Sequence, residues 1–317
     1  MLYDARARRP SAGNRIDLIG VPTDAGASCR GAVFGPDALR KAGIADRLAE
    51  MGYAVADLGD IKLGQTLAAA TAEIDALAVR ASEAGYLSLA NGARPVFLGG
   101  DHSISMGSVA GVARHCRDTG RPLFVLWFDA HGDFNTHATT ETGNMHGMSL
   151  ARLCGEPGFD NDPDWFAPVD PANVLVLGAR DLDCEEERLL DRRGVEVVRM
   201  DDIAAIGVAA PVRAFLARVE AANGHLHLSL DVDAMDPSLA PGVGTTVPGG
   251  LSRRQGHMVM ELLHESGRVG SLDIVELNPL LDRDGMSANL LVALTARLFG
   301  ERPFIPAPVR SELHQTT

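Results

Sequence analysis

The fold of this chain is decided by the stretch Leu123-Phe124-Val125-Leu126-Trp127-Phe128, followed directly by Asp129-Ala130-His131-Gly132-Asp133. A short apolar run of this kind predicts a buried strand. If extended backbone continues through the second part, alternate side chains share one face. Asp129, His131 and Asp133 would then converge at the carboxyl end of a core strand. Open α/β sheets bind their ligands at that edge.

Strand and helix patterns alternate about eight times around this stretch. The predicted strands cover residues 16–22, 53–57, 95–98, 123–128, 173–179, 195–198, 226–232 and 269–275. Helical patterns lie between and after them, including 35–50, 66–91, 146–154 and 287–299. Such alternation predicts a mostly parallel sheet covered on both faces. We expect one three-layer α/β/α domain over 15–300, after a polar segment (1–14) and before a tail (301–317). A closed eight-fold barrel is the alternative that counting leaves open.

Composition excludes several classes of protein. The net charge of -13 argues against nucleic acid or an anionic membrane as a partner. No apolar run approaches the roughly 20 residues that span a bilayer, and the first 14 residues lack the apolar core of a secretory signal. The four cysteines are scattered, without metal-binding spacing, which predicts reduced thiols in a cytoplasmic protein.

A second acidic cluster, Asp231-Val232-Asp233, ends another predicted strand. Strand alternation places both aspartates at the carboxyl end of one face, and His225 and His227 at its opposite end as core histidines. A third strand leads into Gly99-Gly100-Asp101-His102-Ser103. Three strands therefore deliver possible metal ligands to one edge of the sheet.

The chemistry of these ligands predicts a pair of cations. Buried carboxylates repel one another unless cations compensate their charge. Four aspartates and two neutral histidines balance two divalent ions, and a ligand set rich in oxygen suits manganese better than zinc. Two ions roughly 3.5 Å apart can share a water molecule, lower its pKa and hold hydroxide at neutral pH. The pattern is therefore typical of a two-metal hydrolase.

The three motifs together resemble the signatures of the ureohydrolases, the dimanganese enzymes that release urea from guanidino compounds. The resemblance extends over residues 16–299. The loop from Asn135-Thr136 through Thr139-Thr140-Glu141-Thr142-Gly143-Asn144-Met145-His146-Gly147 resembles the arginase version, whereas agmatinases and guanidinobutyrases carry a different sequence there.

The resemblance implies a role for each matching residue. Metal ligation falls to His102, Asp129, His131, Asp133, Asp231 and Asp233. Asp129 and Asp231 occupy bridging positions. The implied catalytic residues are Asp133, which also holds the metal-bridging hydroxide, His146 as proton shuttle and Glu276 as the carboxylate that orients the guanidinium. The implied substrate contacts are Asn135, Thr140, Thr142, Asn144, Asp183, Glu186 and Thr246.

The implied activity is hydrolysis of L-arginine to L-ornithine and urea, by attack of the metal-bridging hydroxide on the guanidinium carbon. Two residues depart from the usual pattern: His137 and Glu141 replace residues that are usually neutral. Glu141 adds negative charge beside the predicted carboxylate contacts, which bears on substrate choice. Asp273, three residues before Glu276, is predicted to point away from the site.

Three alternatives remain at this point. Another ureohydrolase would act on agmatine, guanidinobutyrate or guanidinopropionate. A zinc deacetylase of the same fold usually lacks the full second set of ligands. A non-enzymatic relative would have lost a ligand or His146. The family also implies a homo-oligomer, commonly a trimer or hexamer.

Overall fold

Eight parallel strands form one open sheet in the computed structural model, which describes residues 14–63, 69–159, 163 and 166–302. Their order across the sheet is β2-β1-β3-β8-β7-β4-β5-β6. The strands are β1 (Arg15–Val21), β2 (Ala54–Asp60), β3 (Arg94–Gly99), β4 (Leu123–Phe128), β5 (Val174–Ala179), β6 (Glu196–Arg199), β7 (His225–Asp231) and β8 (Val269–Val275).

Helices cover both faces of this sheet. They are α1 (Gly35–Lys41), α2 (Ile44–Glu50), α3 (Ala70–Ala90), α4 (Ser105–Thr119), α5 (Ser149–Leu153), α6 (Cys184–Arg193), α7 (Met200–Ile206), α8 (Ala209–Ala221), α9 (Arg253–Ser266) and α10 (Met286–Leu298). One face packs against α1, α2, α7, α8, α9 and α10, and the other against α3, α4, α5 and α6. Leu, Ile, Val and Phe side chains of the strands fill both interfaces, so the predicted three-layer architecture is confirmed.

The barrel alternative is wrong, because β2 and β6 are edge strands that each pair with one neighbour in the described sheet. The predicted helix over 35–50 is two helices, since Gly43 adopts a left-handed φ of 83° between them. The predicted helix over 66–91 is observed from Ala70, and its first residues lie outside the described part. Most of the two predicted terminal segments also lies outside it. None of the described helices is long and apolar enough to cross a bilayer.

The sheet order explains where the polar motifs meet. Strands β3, β8, β7 and β4 are consecutive at its centre. Strands β3, β7 and β4 are followed by the three motifs, and β8 is followed by Glu276. Gly100 permits the sharp turn after β3, because a Cβ atom there would lie 1.8 Å from the carbonyl oxygen of Thr23. The central strands thus place the motifs side by side at one edge.

Candidate metal centre

The ligand-bearing segments leave the strands as tight turns. β4 ends at Phe128, and Asp133 has a left-handed φ of 49°. Asp233 likewise lies in a 3-10 turn over Val232–Ala234, where its backbone N–H donates to the Asp231 carboxylate at 2.8 Å. The expected continuation of extended backbone through both motifs is therefore wrong. The side chains still converge, because the turns fold them back toward the end of the sheet.

A first group of ligands surrounds Nδ1 of His102. This nitrogen lies 3.0 Å from Oδ2 of Asp129, 3.0 Å from Oδ2 of Asp133 and 3.1 Å from Oδ2 of Asp231. His102 follows β3 in a short 3-10 turn that the side chain of Asp101 caps. One imidazole nitrogen and three carboxylate oxygens thus face a common point.

A second group surrounds Nδ1 of His131. This nitrogen lies 3.4 Å from Oδ1 of Asp129 and 3.1 Å from Oδ2 of Asp233. The other ring nitrogen, Nε2, lies 3.7 Å from the carboxylate of Asp181. Because Asp129 belongs to both groups, it can be shared by two ions. The six predicted ligands are therefore brought together.

These residues fit divalent cations. Asp129, Asp231, Asp233 and His102 are almost completely buried. Nδ1 of His102 and Oδ2 of Asp129 are 3.0 Å apart, yet neither atom makes a hydrogen bond of acceptable geometry. Burying several carboxylates together without a compensating charge is unfavourable. Atoms that converge without pairing, in a set rich in oxygen with two imidazoles, match the donors that Mn²⁺ accepts.

The pKa values of the carboxylates reflect the same cost of burying several negative charges together. Burial, followed by the charges of neighbouring aspartates, raises the pKa of Asp231 and of Asp233. Asp133 is raised by burial and by Asp129. Burial would also raise the pKa of Asp129, but its two histidine neighbours hold it below its ordinary value. Cations placed among these groups would favour the ionised carboxylates.

Glu276 and His146 lie beside the metal ligands. Glu276 follows β8 with a left-handed φ of 64°. Its Oε1 accepts the backbone N–H of His102 at 2.7 Å and lies 2.8 Å from Nδ1 of His146. Burial would lower the pKa of His146, but the charge of Glu276 raises it to about 9. The predicted guanidinium carboxylate therefore already faces a cation.

A cleft of about 240 Å³ opens over the metal ligands. Its lining contains five of the six predicted metal ligands, all but Asp129. It also contains all three predicted catalytic residues, of which Asp133 is one of those ligands, and six of the seven predicted substrate contacts. The lining residues are His102, His131, Asp133, Asn135, Thr140, Thr142, Asn144, His146, Gly147, Asp181, Asp183, Glu186, Asp231, Asp233, Thr245 and Glu276.

Thr246 is the one predicted substrate contact that does not line the cleft; its neighbour Thr245 does. Residues 241–250 contain no regular helix or strand, so no periodicity in the sequence distinguishes the two threonines. Asp181 is also in the lining and was missed. Its position between β5 and α6, at the same sheet edge as the other motifs, is the signal that could have identified it.

One part of the cleft is built around the start of α6. Asp183 caps this helix and its backbone N–H donates to Glu186 at 3.2 Å. Glu186 also accepts the N–H of Phe134 at 2.8 Å, and burial raises its pKa to about 8. The amide of Asn135 donates to Asp183 at 2.9 Å. The carboxyl groups of Asp183 and Glu186 and the oriented amide of Asn135 thus line this part of the cleft.

Other polar residues lie apart from the cleft. His137 and Glu141 are exposed and do not line it. His225 and His227 are buried at the amino-terminal part of β7, where each contacts the hydroxyl of Ser271. Both histidines are therefore core residues, as predicted.

Comparison with known proteins gives one consistent family. The model of the Arginase family matches residues 14–300. The chain is 45% identical to an arginase of Agrobacterium fabrum over 95% of each chain. It is 46% identical to an arginase of Brucella melitensis, over 91% of this chain and 98% of the relative. The crystal structure of an arginase from Bacillus caldovelox superposes with a TM-score of 0.86 at 37% identity, covering 91% of this chain and 99% of that one.

Proposed function

Because the chain belongs to the arginase family, we propose that it hydrolyses L-arginine to L-ornithine and urea with two bound Mn²⁺ ions. The observation that carries this proposal is the set of side chains that line one cleft. Ligands for two cations and Glu276 line it together with Asp183, Glu186 and Asn135. An amino acid with a guanidinium tail has groups that match both sets.

The metal ligands would hold the ions as two groups that share Asp129. His102 and Asp133 belong to the first group, and His131 and Asp233 to the second. Asp231 completes the first group through its contact with His102. Two ions in this place would lower the pKa of a shared water molecule and supply a nucleophile at neutral pH.

Glu276 is suited to hold the guanidinium. A carboxylate and a planar guanidinium form two parallel, charge-assisted hydrogen bonds. Its backbone is fixed in the left-handed region and one oxygen is anchored by the N–H of His102, so the carboxylate enters the reaction already oriented. A bound guanidinium would replace His146 as its cationic partner.

His146 and Asp133 are suited to move protons. Loss of the Glu276 contact would return the pKa of His146 toward the neutral range, where an imidazole both accepts and releases protons. His146 is half-buried at the wall of the cleft, so it can exchange these protons with solvent. Asp133, which lines the same cleft, can take part in proton transfer toward the leaving amine.

The residues around the start of α6 and in the loop 135–144 favour an α-amino acid. Asp183 and Glu186 can accept hydrogen bonds from an α-ammonium group, and Asn135, Thr140, Thr142 and Asn144 supply groups that can donate to an α-carboxylate. Agmatine lacks the carboxylate, and 4-guanidinobutyrate lacks the ammonium. Neither substrate would pair with all of these side chains, and the polar groups left unpaired would reduce kcat/KM. A homo-oligomer and a cytoplasmic location remain predictions within this proposal.

The test is urea release by the manganese-loaded protein from L-arginine, agmatine, 4-guanidinobutyrate and 3-guanidinopropionate under identical conditions. We expect a preference for L-arginine of at least about 100-fold in kcat/KM. Preference for a substrate without one α-group would overturn the role proposed for Asp183, Glu186 and Asn135 in recognising the α-groups. It would leave the proposal of a metal centre intact. Urea from none of the four would direct the search to amide hydrolysis, as in the deacetylases.

A further inference from the structure

The two ring nitrogens of His102 face opposite environments. Nδ1 faces the carboxylates of the metal centre, whereas Nε2 lies 2.8 Å from the hydroxyl oxygen of Ser229. The imidazole also stacks on the ring of Trp127, with centroids 4.0 Å apart and planes 5° from parallel. All three side chains are at most 1% exposed. The orientation of the ring is thus fixed, and the position of its proton becomes the open chemical question.

A cation at Nδ1 needs the lone pair of that nitrogen. The ring proton must then be on Nε2, which makes the ring a donor to Ser229. Ser229 therefore has to direct its own hydroxyl hydrogen elsewhere. The nearest acceptor given by the structure is the hydroxyl of Ser105, at 3.4 Å, and Ser105 in turn donates to Oδ2 of Asp273 at 2.7 Å.

Asp273 ends this series of contacts. Its side chain is completely buried in β8, where it also accepts the hydroxyl of Ser108 at 2.7 Å and lies 3.3 Å from Nε2 of His227. An ionised carboxylate accepts hydrogen bonds and cannot donate one. A chain of hydroxyl groups that ends on such an acceptor has only one favourable direction, from His102 toward Asp273. Neutral hydroxyl groups alone would allow either direction.

We propose that Ser229, Ser105 and Asp273 form a buried relay that fixes the tautomer of His102 and so keeps Nδ1 available to a metal ion. The three are positioning residues, since His102 separates them from the cation. This role rests on the proposed metal centre. It also gives a function to Asp273, which the sequence analysis placed only as pointing away from the site.

Helix α4 contains two comparable serines, whose variants distinguish an effect of the relay from an effect of packing. Ser105 and Ser108 are both fully buried, and each donates to the same oxygen of Asp273 at the same distance. Only Ser105 also contacts Ser229. The variants Ser105→Ala and Ser108→Ala thus remove the same atom and the same bond, but only the first interrupts the relay.

The experiment equilibrates manganese-loaded, full-length protein in buffers of fixed free Mn²⁺ concentration and counts bound metal per chain by mass spectrometry. Partners behind metal-binding histidines typically contribute about 10–100-fold in affinity. We expect one of the two Mn²⁺ dissociation constants to rise by about tenfold in Ser229→Ala and by a smaller factor, at least about threefold, in Ser105→Ala. Ser108→Ala should stay within about twofold of the wild type.

Thermal unfolding of the same proteins supplies the second readout. Ser105→Ala and Ser108→Ala should both lower the melting temperature, because each removes one buried hydrogen bond to Asp273, and Ser105→Ala should lower it further because Ser229 then loses its acceptor. Equal Mn²⁺ affinity in these two variants would overturn the relay. If Ser105→Ala does not fold, Ser229→Ala decides, and unchanged metal affinity in that variant overturns the proposal. Absence of Mn²⁺ binding by the wild type would instead refute the metal centre itself.

Discussion

At the scale of single residues, the proposed mechanism requires the contact between His146 and Glu276 to open when substrate binds. Their contact raises the pKa of His146 to about 9, above the ordinary value of 6.5. Because the folded state holds this proton more tightly than the unfolded chain, the pair contributes full stability below about pH 6.5 and loses it as pH rises through about 9. The pair is therefore a stabilising contact that the substrate has to displace.

His146→Asn tests this account. In chelator-treated protein, we expect the variant to be about 2 kcal/mol less stable than the wild type at pH 6. The difference should shrink from about pH 6.5 upward and approach zero by about pH 10. Denaturant titrations at several pH values measure it. A difference that stays constant across this range would show that the imidazole stabilises the fold by packing and not by charge.

Glu276→Gln separates substrate orientation from metal binding. Glutamine keeps the shape of the side chain but loses the charge that strengthens both hydrogen bonds to a guanidinium. A loss of about 10³-fold in kcat/KM for L-arginine is expected. Bound Mn²⁺, measured by mass spectrometry, should be unchanged, since Glu276 is not among the ligands. Loss of metal together with activity would contradict the separate role given to this carboxylate.

At the scale of elements, period-two alternation predicted that the candidate ligands converge, but through a geometry that the structure does not have. Asp129 and Asp133 do converge, but through a left-handed turn after β4 and not along extended backbone. The types and order of the candidate ligands could be predicted from the sequence because buried strands and acidic motifs are local features. The position of Thr245 in the cleft could not be predicted, because contacts with distant residues, such as the hydrogen bond from Arg180 to the Val247 carbonyl, shape that segment.

Helices α3 and α4 approach each other closely because α4 carries glycines at the interface. A Cβ atom on Gly111 would lie 2.2 Å from the carbonyl oxygen of Ser82. Gly111→Ala should therefore destabilise the protein by about 1–3 kcal/mol, although alanine is the better helix former. Gly256→Ala in α9 is the control, because its nearest neighbour is the flexible end of the Met235 side chain. Thermal unfolding should show a clearly larger loss for Gly111→Ala than for the control.

At the scale of the whole molecule, the alternation of strands and helices predicted the layers but not the order of the strands. The order of the strands determines the site, because β3 pairs with β8 and β4 with β7 although the two strands of each pair are far apart in the chain. Which strands become neighbours depends on long-range pairing and on the helices that connect them. For the same reason the sequence alone did not exclude a closed barrel, which the edge strands β2 and β6 exclude.

The assembled site makes the stability of the whole fold depend on cations and on pH together. Burial raises the pKa of Asp133, Asp231 and Asp233 in the folded state. Folded protein without metal therefore binds more protons than the unfolded chain, and its stability falls as pH rises through the acidic to neutral range. We expect Mn²⁺ to offset this penalty when it binds, with a stabilisation of about 2.7 kcal/mol at a free concentration of 100 Kd.

Melting temperatures with excess Mn²⁺ and with chelator, at pH 5.5 and pH 8, measure this dependence. Mn²⁺ should raise the melting temperature at both pH values, and by more at pH 8, because deprotonated ligands bind metal more tightly. An increase of a few degrees is expected at pH 8 for a chain of this size. Mg²⁺ at the same concentration is the control, since it prefers to retain its own water shell. An equal increase at the two pH values would contradict ligation by carboxylates whose ionisation the fold opposes.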